Sequence, residues 1–145
     1  MNTITAIMGK DHQQCDQLFA ASEAALDQSE DFGPLKDFIH HMKQHFSAEE
    51  DVLFPAFEEL TGMRDRGPSA MMRLEHEQMR GLMSEMESCT DAEQASNLGE
   101  TLMILMQQHN LKEENMLYPM LDQHFQLDQF KESLISLLGP WDAAT

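Results

Sequence analysis

One offset organises most of this chain. Sliding the sequence against itself by 64 residues aligns His12 with His76, His45 with His109 and Glu49 with Glu113 without a gap. The same shift matches Ala6 with Ala70, Met8 with Met72, Leu18 with Leu82, Met42 with Met106, Glu50 with Glu114, Leu53 with Leu117 and Pro55 with Pro119. Two copies of one unit, related by a pseudo-twofold axis, are therefore expected.

The unit reads as a helical hairpin. Apolar periodicity predicts a first helix from about Thr3 to Asp27, with loop chemistry at Ser29 to Gly33. A second runs from Pro34, favoured in a first turn, to Leu60 before Thr61-Gly62. The second hairpin follows Gly67-Pro68: one helix ends near Cys89, and another, with a capping box from Thr90 and Glu93, continues to about His124. A shorter piece, Leu127 to Leu138, closes at Gly139-Pro140 and should pack across one end. Pro55 and Pro119 fall inside long helices, where each should kink or end its helix. No strand pattern appears. The expectation is all-α: an up-down-up-down four-helix bundle over about residues 3–124, with a short C-terminal helix at about 127–138, in a single domain spanning 1–145.

Helix faces supply the functional signal. The apolar stripe Leu35, Phe38, Ile39, Met42, Phe46, Leu53 and Ala56 encloses His45 and Glu49. Leu98, Leu102, Leu105, Met116, Leu117 and Met120 do the same around His109 and Glu113. His12 lies among Ile4, Met8, Cys15 and Phe19, and His76 among Met72, Met79, Met83 and Met86. An unpaired buried carboxylate costs several kcal/mol or more, so six such groups in one core call for a partner, and metal ions provide one. Residues four apart share a helix face, so each His-x-x-x-Glu presents both donors to one point.

Repeat symmetry pairs His12 with His45 and His76 with His109, with Glu49 and Glu113 spanning two ions. Each ion then has four protein donors and open positions for a bridging oxygen and an outside ligand. Such a nitrogen and oxygen set suits iron or manganese, whereas a closed tetrahedral set would suggest structural zinc. Ferritin-like sites differ, being carboxylate-rich with Glu-x-x-His spacing.

The lone His12, the run from His45 to Pro55, the lone His76 and the run from His109 to Pro119 together resemble the hemerythrin-like, or HHE cation-binding, family, over about residues 3–124. The resemblance implies a di-iron bundle with an oxygen bridge and assigns ligand roles to His12, His45, Glu49, His76, His109 and Glu113. Oxygen-carrying hemerythrins have a fifth histidine where this chain has Arg80, which argues against simple reversible oxygen transport. They also place the last carboxylate five residues after its histidine, leaving Glu114 open beside the repeat-favoured Glu113. The wider family is associated with sensing oxygen or iron, handling nitric oxide or peroxide, and repairing iron centres.

The expected function is thus a non-haem di-iron protein binding or sensing dioxygen, nitric oxide or peroxide. An iron reservoir or iron-donating repair factor is the alternative. Two oxo- or hydroxo-bridged irons are the expected cofactor, with manganese or zinc ranked behind. No nucleophile-base pair, phosphate loop or substrate pocket can be named, so enzymatic activity stays open. Nine Lys+Arg against 26 Asp+Glu give a net charge of -17, which repels phosphate backbones and anionic lipids, so nucleic acid and membranes are not expected partners. The protein partner is unknown. No signal segment or bilayer-length apolar run is recognisable, and a cytoplasmic location is expected.

Neighbouring residues read as follows. His41 is a spare ligand or a partly buried histidine, and His40 and His124 are surface residues. Asp16 and Arg80 either pair or gate the site, or simply face solvent. Cys15 and Tyr118 are core fillers within reach of redox chemistry, and Cys89 is a second buried filler. Glu50 and Glu114 face the rim or a second layer, being about 100° around the helix from their neighbours.

Overall fold

Thr3 opens the first helix by accepting a hydrogen bond from the Ala6 amide on its side chain, in the computed structural model, which describes residues 3–140. The helix, α1 (Ile4–Ser29), has no acid in its own first turn. Its free amides are met from across the molecule instead. Asp122 accepts from the backbone N–H of Ile4 at 2.7 Å and of Thr5 at 3.1 Å, and from the Thr5 hydroxyl at 2.6 Å. Glu30, left-handed at φ 51°, ends α1, and its N–H donates to the Ala25 carbonyl.

The chain then forms α2 (Gly33–Ser47), a π-helical stretch Ala48–Leu53, and α3 (Phe54–Thr61). After a loop come α4 (Pro68–Ser88), α5 (Ala92–Lys112), a second π-helical stretch Glu113–Leu117, and α6 (Tyr118–His124). A 3-10 turn, Leu127–Gln129, leads to α7 (Lys131–Leu138). There is no strand among the described residues. α1 packs against α2 and α5, and α4 against α5 and α2, forming a helical bundle.

Three expectations need correction. The cap of α5 is Asp91, whose carboxylate accepts from the Glu93 amide at 3.1 Å; with the cap one residue later, Glu93 stands too early in the helix to complete a box with Thr90. Met116 is 42% exposed rather than part of the buried stripe, because the π-helical stretch adds a residue to that turn and shifts the helix face. Cys89 is only half buried, its thiol donating to the Glu85 carbonyl.

Pro55 and Pro119 neither end nor sharply interrupt the helical run. Each is the second residue after its π-helical stretch, where the Phe54 and Tyr118 amides bond five residues back, to the carbonyls of Glu49 and Glu113. The wide turn accommodates a ring that would clash in a regular helix.

The hairpins are offset in height. α1 continues seventeen residues past His12 and α5 begins seventeen before His109, whereas α2 begins twelve before His45 and α4 ends twelve after His76. The two long arms pack together, and Leu26, Ala92 and Ala95 cluster where they overrun the short ones. An apolar cluster including Ile4, Met8, Leu53, Met72, Leu117 and Leu134 fills one end. Another, including Phe19, Phe38, Met79, Met83 and Met106, fills the middle. α7 lies against α2 and the first π-helical stretch, with Leu134 fully buried. No helix among the described residues is long and apolar enough to cross a membrane.

Candidate metal centre

Between the two larger apolar clusters lies a polar layer. His12, His45, Glu49, His76, His109 and Glu113 are all buried, none more than 3% exposed. His12 comes from α1, His45 from α2, His76 from α4 and His109 from α5, and each glutamate opens or lies in a π-helical stretch.

The donors fall into two groups. In the first, Glu49, His76, His109 and Glu113 each bring a ligand atom within 4.8 Å of the others. His76 Nε2 is 3.1 Å from Glu49 Oε1, and His109 Nε2 is 3.2 Å from Glu113 Oε2. In the second, His12, His45 and Glu113 converge in the same way, with His12 Nε2 3.0 Å from Glu113 Oε1. The imidazole rings are 4.7 Å apart in the His12/His45 pair and 4.9 Å apart in the His76/His109 pair. Glu113 therefore serves both groups. Glu49 also reaches the second group, directly at 3.5 Å from its Oε1 to His45 Nε2 and through Tyr118, whose hydroxyl is 2.8 Å from Glu49 Oε2 and 2.9 Å from Glu113 Oε1.

A second layer of four carboxylates fixes the rings from outside. His12 Nδ1 donates to Glu114 Oε2 at 2.7 Å, His45 Nδ1 to Asp11 Oδ2 at 2.6 Å, His76 Nδ1 to Glu50 Oε2 at 2.6 Å and His109 Nδ1 to Glu75 Oε1 at 2.8 Å. Every Nε2 is thereby turned inward, the orientation of a carboxylate-backed metal histidine. This layer obeys the repeat too, since Asp11 shifts by 64 onto Glu75 and Glu50 onto Glu114. Sequence reading missed Asp11 and Glu75. The signal was present as an acid directly before each lone histidine, its import hidden because such an acid looks like any exposed helix residue.

Residues around this layer take definite places. Glu114 stands on the Nδ1 side of His12, opposite the inward face. His41 Nε2 donates to Asp11 Oδ1 at 2.9 Å, so it supports the second layer. Arg80 donates to Glu50 at 2.7 and 3.0 Å and to Glu77, and Asp16 accepts from Gln107; the two do not pair. Lys112 pairs with Glu75. His40 and His124 are exposed, and Cys15 is buried beside Asp11 and His45.

The electrostatics describe a layer waiting for positive charge. Burial opposes protonation of His12, yet hydrogen bonds to Glu113 and Glu114 overcome it and raise the imidazole to about 10. His76 is raised to about 9, burial again being outweighed by Glu49 and Glu50. Burial and the adjacent Glu113 carboxylate push Glu49 upward. Desolvation opposes ionisation of Asp11, but His41 and His45 hold it well below the usual carboxylate range. Four buried polar atoms nevertheless have no hydrogen-bond partner: Glu49 Oε1, His76 Nε2, His109 Nε2 and Glu113 Oε2. All four belong to the first group, and a cation bound among them would satisfy every one. The residues present thus fit a metal.

Comparison with known proteins points the same way. The family model described as the hemerythrin HHE cation-binding domain matches residues 3–121, while no curated protein and no solved structure gives a significant match. That span takes in every donor of both groups and all four supporting carboxylates, and the chain belongs to the hemerythrin HHE cation-binding domain family.

Proposed function

We propose that this protein holds two iron ions, one between His76, His109, Glu49 and Glu113, the other between His12, His45 and Glu113, and that it binds or senses dioxygen, nitric oxide or peroxide there. The observation that carries this reading is the set of four buried, partnerless polar atoms aimed at one another within a layer of six donors. The alternation of packing around the bundle, α1 beside α2 and α5, α4 beside α5 and α2, supports an up-down-up-down arrangement in one domain. A cytoplasmic location remains part of this proposal.

Iron is preferred for its match to imidazole and carboxylate donors that leave positions free. When bound, the ions supply redox-active centres to which a small ligand can add. The chain does the rest. Glu114, Asp11, Glu50 and Glu75 hold the Nδ1 protons and keep each Nε2 pointed inward. The apolar clusters above and below exclude bulk water. Arg80, at the position of the missing histidine, is engaged by Glu50 and Glu77 and adds no donor. Burial of all six donors favours retention of the ions over their donation to another protein.

Elemental analysis and absorption spectra of protein expressed with ample iron test the proposal. About two irons per chain are expected in the wild type, with a marked loss in His45→Ala. Anaerobic addition of nitric oxide, or addition of dioxygen or peroxide to the reduced protein, should then change the spectrum. Zinc alone, or no spectral response to any of the three, would overturn it.

A further inference from the structure

The one hydroxyl in the polar layer touches every donor of the second group. Tyr118 Oη lies 3.2 Å from His12 Nε2, 3.5 Å from His45 Nε2, 2.8 Å from Glu49 Oε2 and 2.9 Å from Glu113 Oε1. A hydroxyl has one hydrogen, so it can donate to only one of the two carboxylates at a time. Donors bound at about 2.1 Å on one ion, at right angles, stand roughly 3 Å apart. The Tyr118 separations from His12 Nε2 and Glu113 Oε1 match that spacing, and that from His45 Nε2 is somewhat longer.

We propose, resting on the di-iron reading above, that Tyr118 is itself a ligand, binding the His12/His45 ion through its phenolate oxygen. On binding, a metal-oxygen bond forms, the O–H bond breaks and the proton leaves to solvent; no oxidant or reductant is consumed. The side chain has nowhere else to go. It is fully buried, packs in the apolar cluster with Leu117 and Leu121, and starts directly after the second π-helical stretch, which fixes its backbone. The repeat sharpens the assignment, because the position equivalent to Tyr118 is Phe54, also fully buried directly after a π-helical stretch. Phe54 has no oxygen, and its ring stands 5.7 Å from the His76 ring. The two ions are therefore chemically unequal: the second takes an anionic oxygen that the first lacks.

Resonance Raman and visible absorption of the ferric protein test this. Tyr118 is the only tyrosine in the chain, so any metal-bound tyrosinate signature belongs to it. The wild type should show a visible phenolate-to-iron band with enhanced ring modes that shift when ring-deuterated tyrosine is incorporated. Tyr118→Phe should lose band and modes and weaken binding of one of the two irons by about tenfold or more. Two bound irons without tyrosinate modes would overturn the ligand and leave the di-iron reading standing. No bound iron would overturn both. If Tyr118→Phe fails to fold, the isotope shift in the wild type still decides.

Discussion

The two halves of the polar layer carry the same pair of imidazoles in different settings. On the His76 side, Phe46 stacks on the imidazole with ring centres 4.0 Å apart, Phe54 lies at 5.7 Å, and the Arg80 guanidinium sits 5.1 Å above the Phe46 ring. The repeat-equivalent positions on the His12 side are Asn110, Tyr118 and Asp16. One half is lined with aromatic rings and backed by a cation; the other is polar at each corresponding position. One pair of the second layer follows suit, the carboxylate of Glu50 being 19% exposed and clamped by Arg80 and that of Glu114 40% exposed, while the other pair runs the opposite way, Asp11 at 7% and Glu75 at 20%. A duplicated hairpin can thus keep its donors and their orienting acids in register while the surroundings diverge. What the repeat preserves is where the donors sit. What it does not preserve is what surrounds them.

Glu113 offers the strongest way to break this comparison, because both groups depend on it. Glu113→Ala should reduce bound iron to near zero, while Glu49→Ala should chiefly weaken the His76/His109 ion, as elemental analysis would register. Equal losses in the two variants would contradict the assignment of Glu113 as the shared residue.

The supporting acids come next. Glu50→Gln and Glu75→Gln should each lower iron affinity by about 10- to 100-fold in competition with a chelator. Glu114→Gln should have a smaller effect, since its carboxylate is nearer solvent. A loss for Glu114→Gln as large as for Glu50→Gln would erase the difference between these two repeat-related acids.

Titration gives a third test. His12 at about 10 and His76 at about 9 both lie above the ordinary imidazole value of 6.5. In metal-free protein their contribution to stability is fully present below that ordinary value and is lost as pH rises through 9 to 10. A metal ion bound at these nitrogens would displace the protons, so metal affinity should rise over the same window. Urea midpoints of chelated protein across this range should fall toward high pH, and a rise would contradict the ion pairing. The smallest effect expected is that of Asp122→Ala, which removes the acceptor for the first amides of α1 and should cost about 1 to 2 kcal/mol by denaturant unfolding at fixed metal content.

Much of this was legible from residue order. His12, His45, Glu49, His76, His109 and Glu113 stood out because polar groups on an apolar stripe contradict the stripe, and a single offset tied them together. Asp11 and Glu75 did not, because an acid adjacent to a buried histidine follows the helix period to a partly solvated face and violates no rule. Tyr118 read as packing because its ring is packing; where its oxygen ends is set by the fold, not by the order of residues. The π-helical stretches were half legible, since Pro55 and Pro119 signalled a disturbance but not that a widened turn would absorb it. The unequal arms of the hairpins escaped because loop positions mark where helices stop, not which neighbour they overrun.

The sharing of Glu113 also bears on the order in which the molecule is assembled. Neither donor group can be completed from the first hairpin, which contributes His12, His45 and Glu49 but no Glu113. The Asp122 carboxylate that secures the start of α1 arrives later still along the chain. During synthesis the early helices leave the ribosome with His45 able to meet Asp11 but with both donor groups incomplete, awaiting a residue made nearly seventy positions after His45. Metal capture is thereby postponed until both hairpins have docked, so a bound ion reports that the second hairpin is in place.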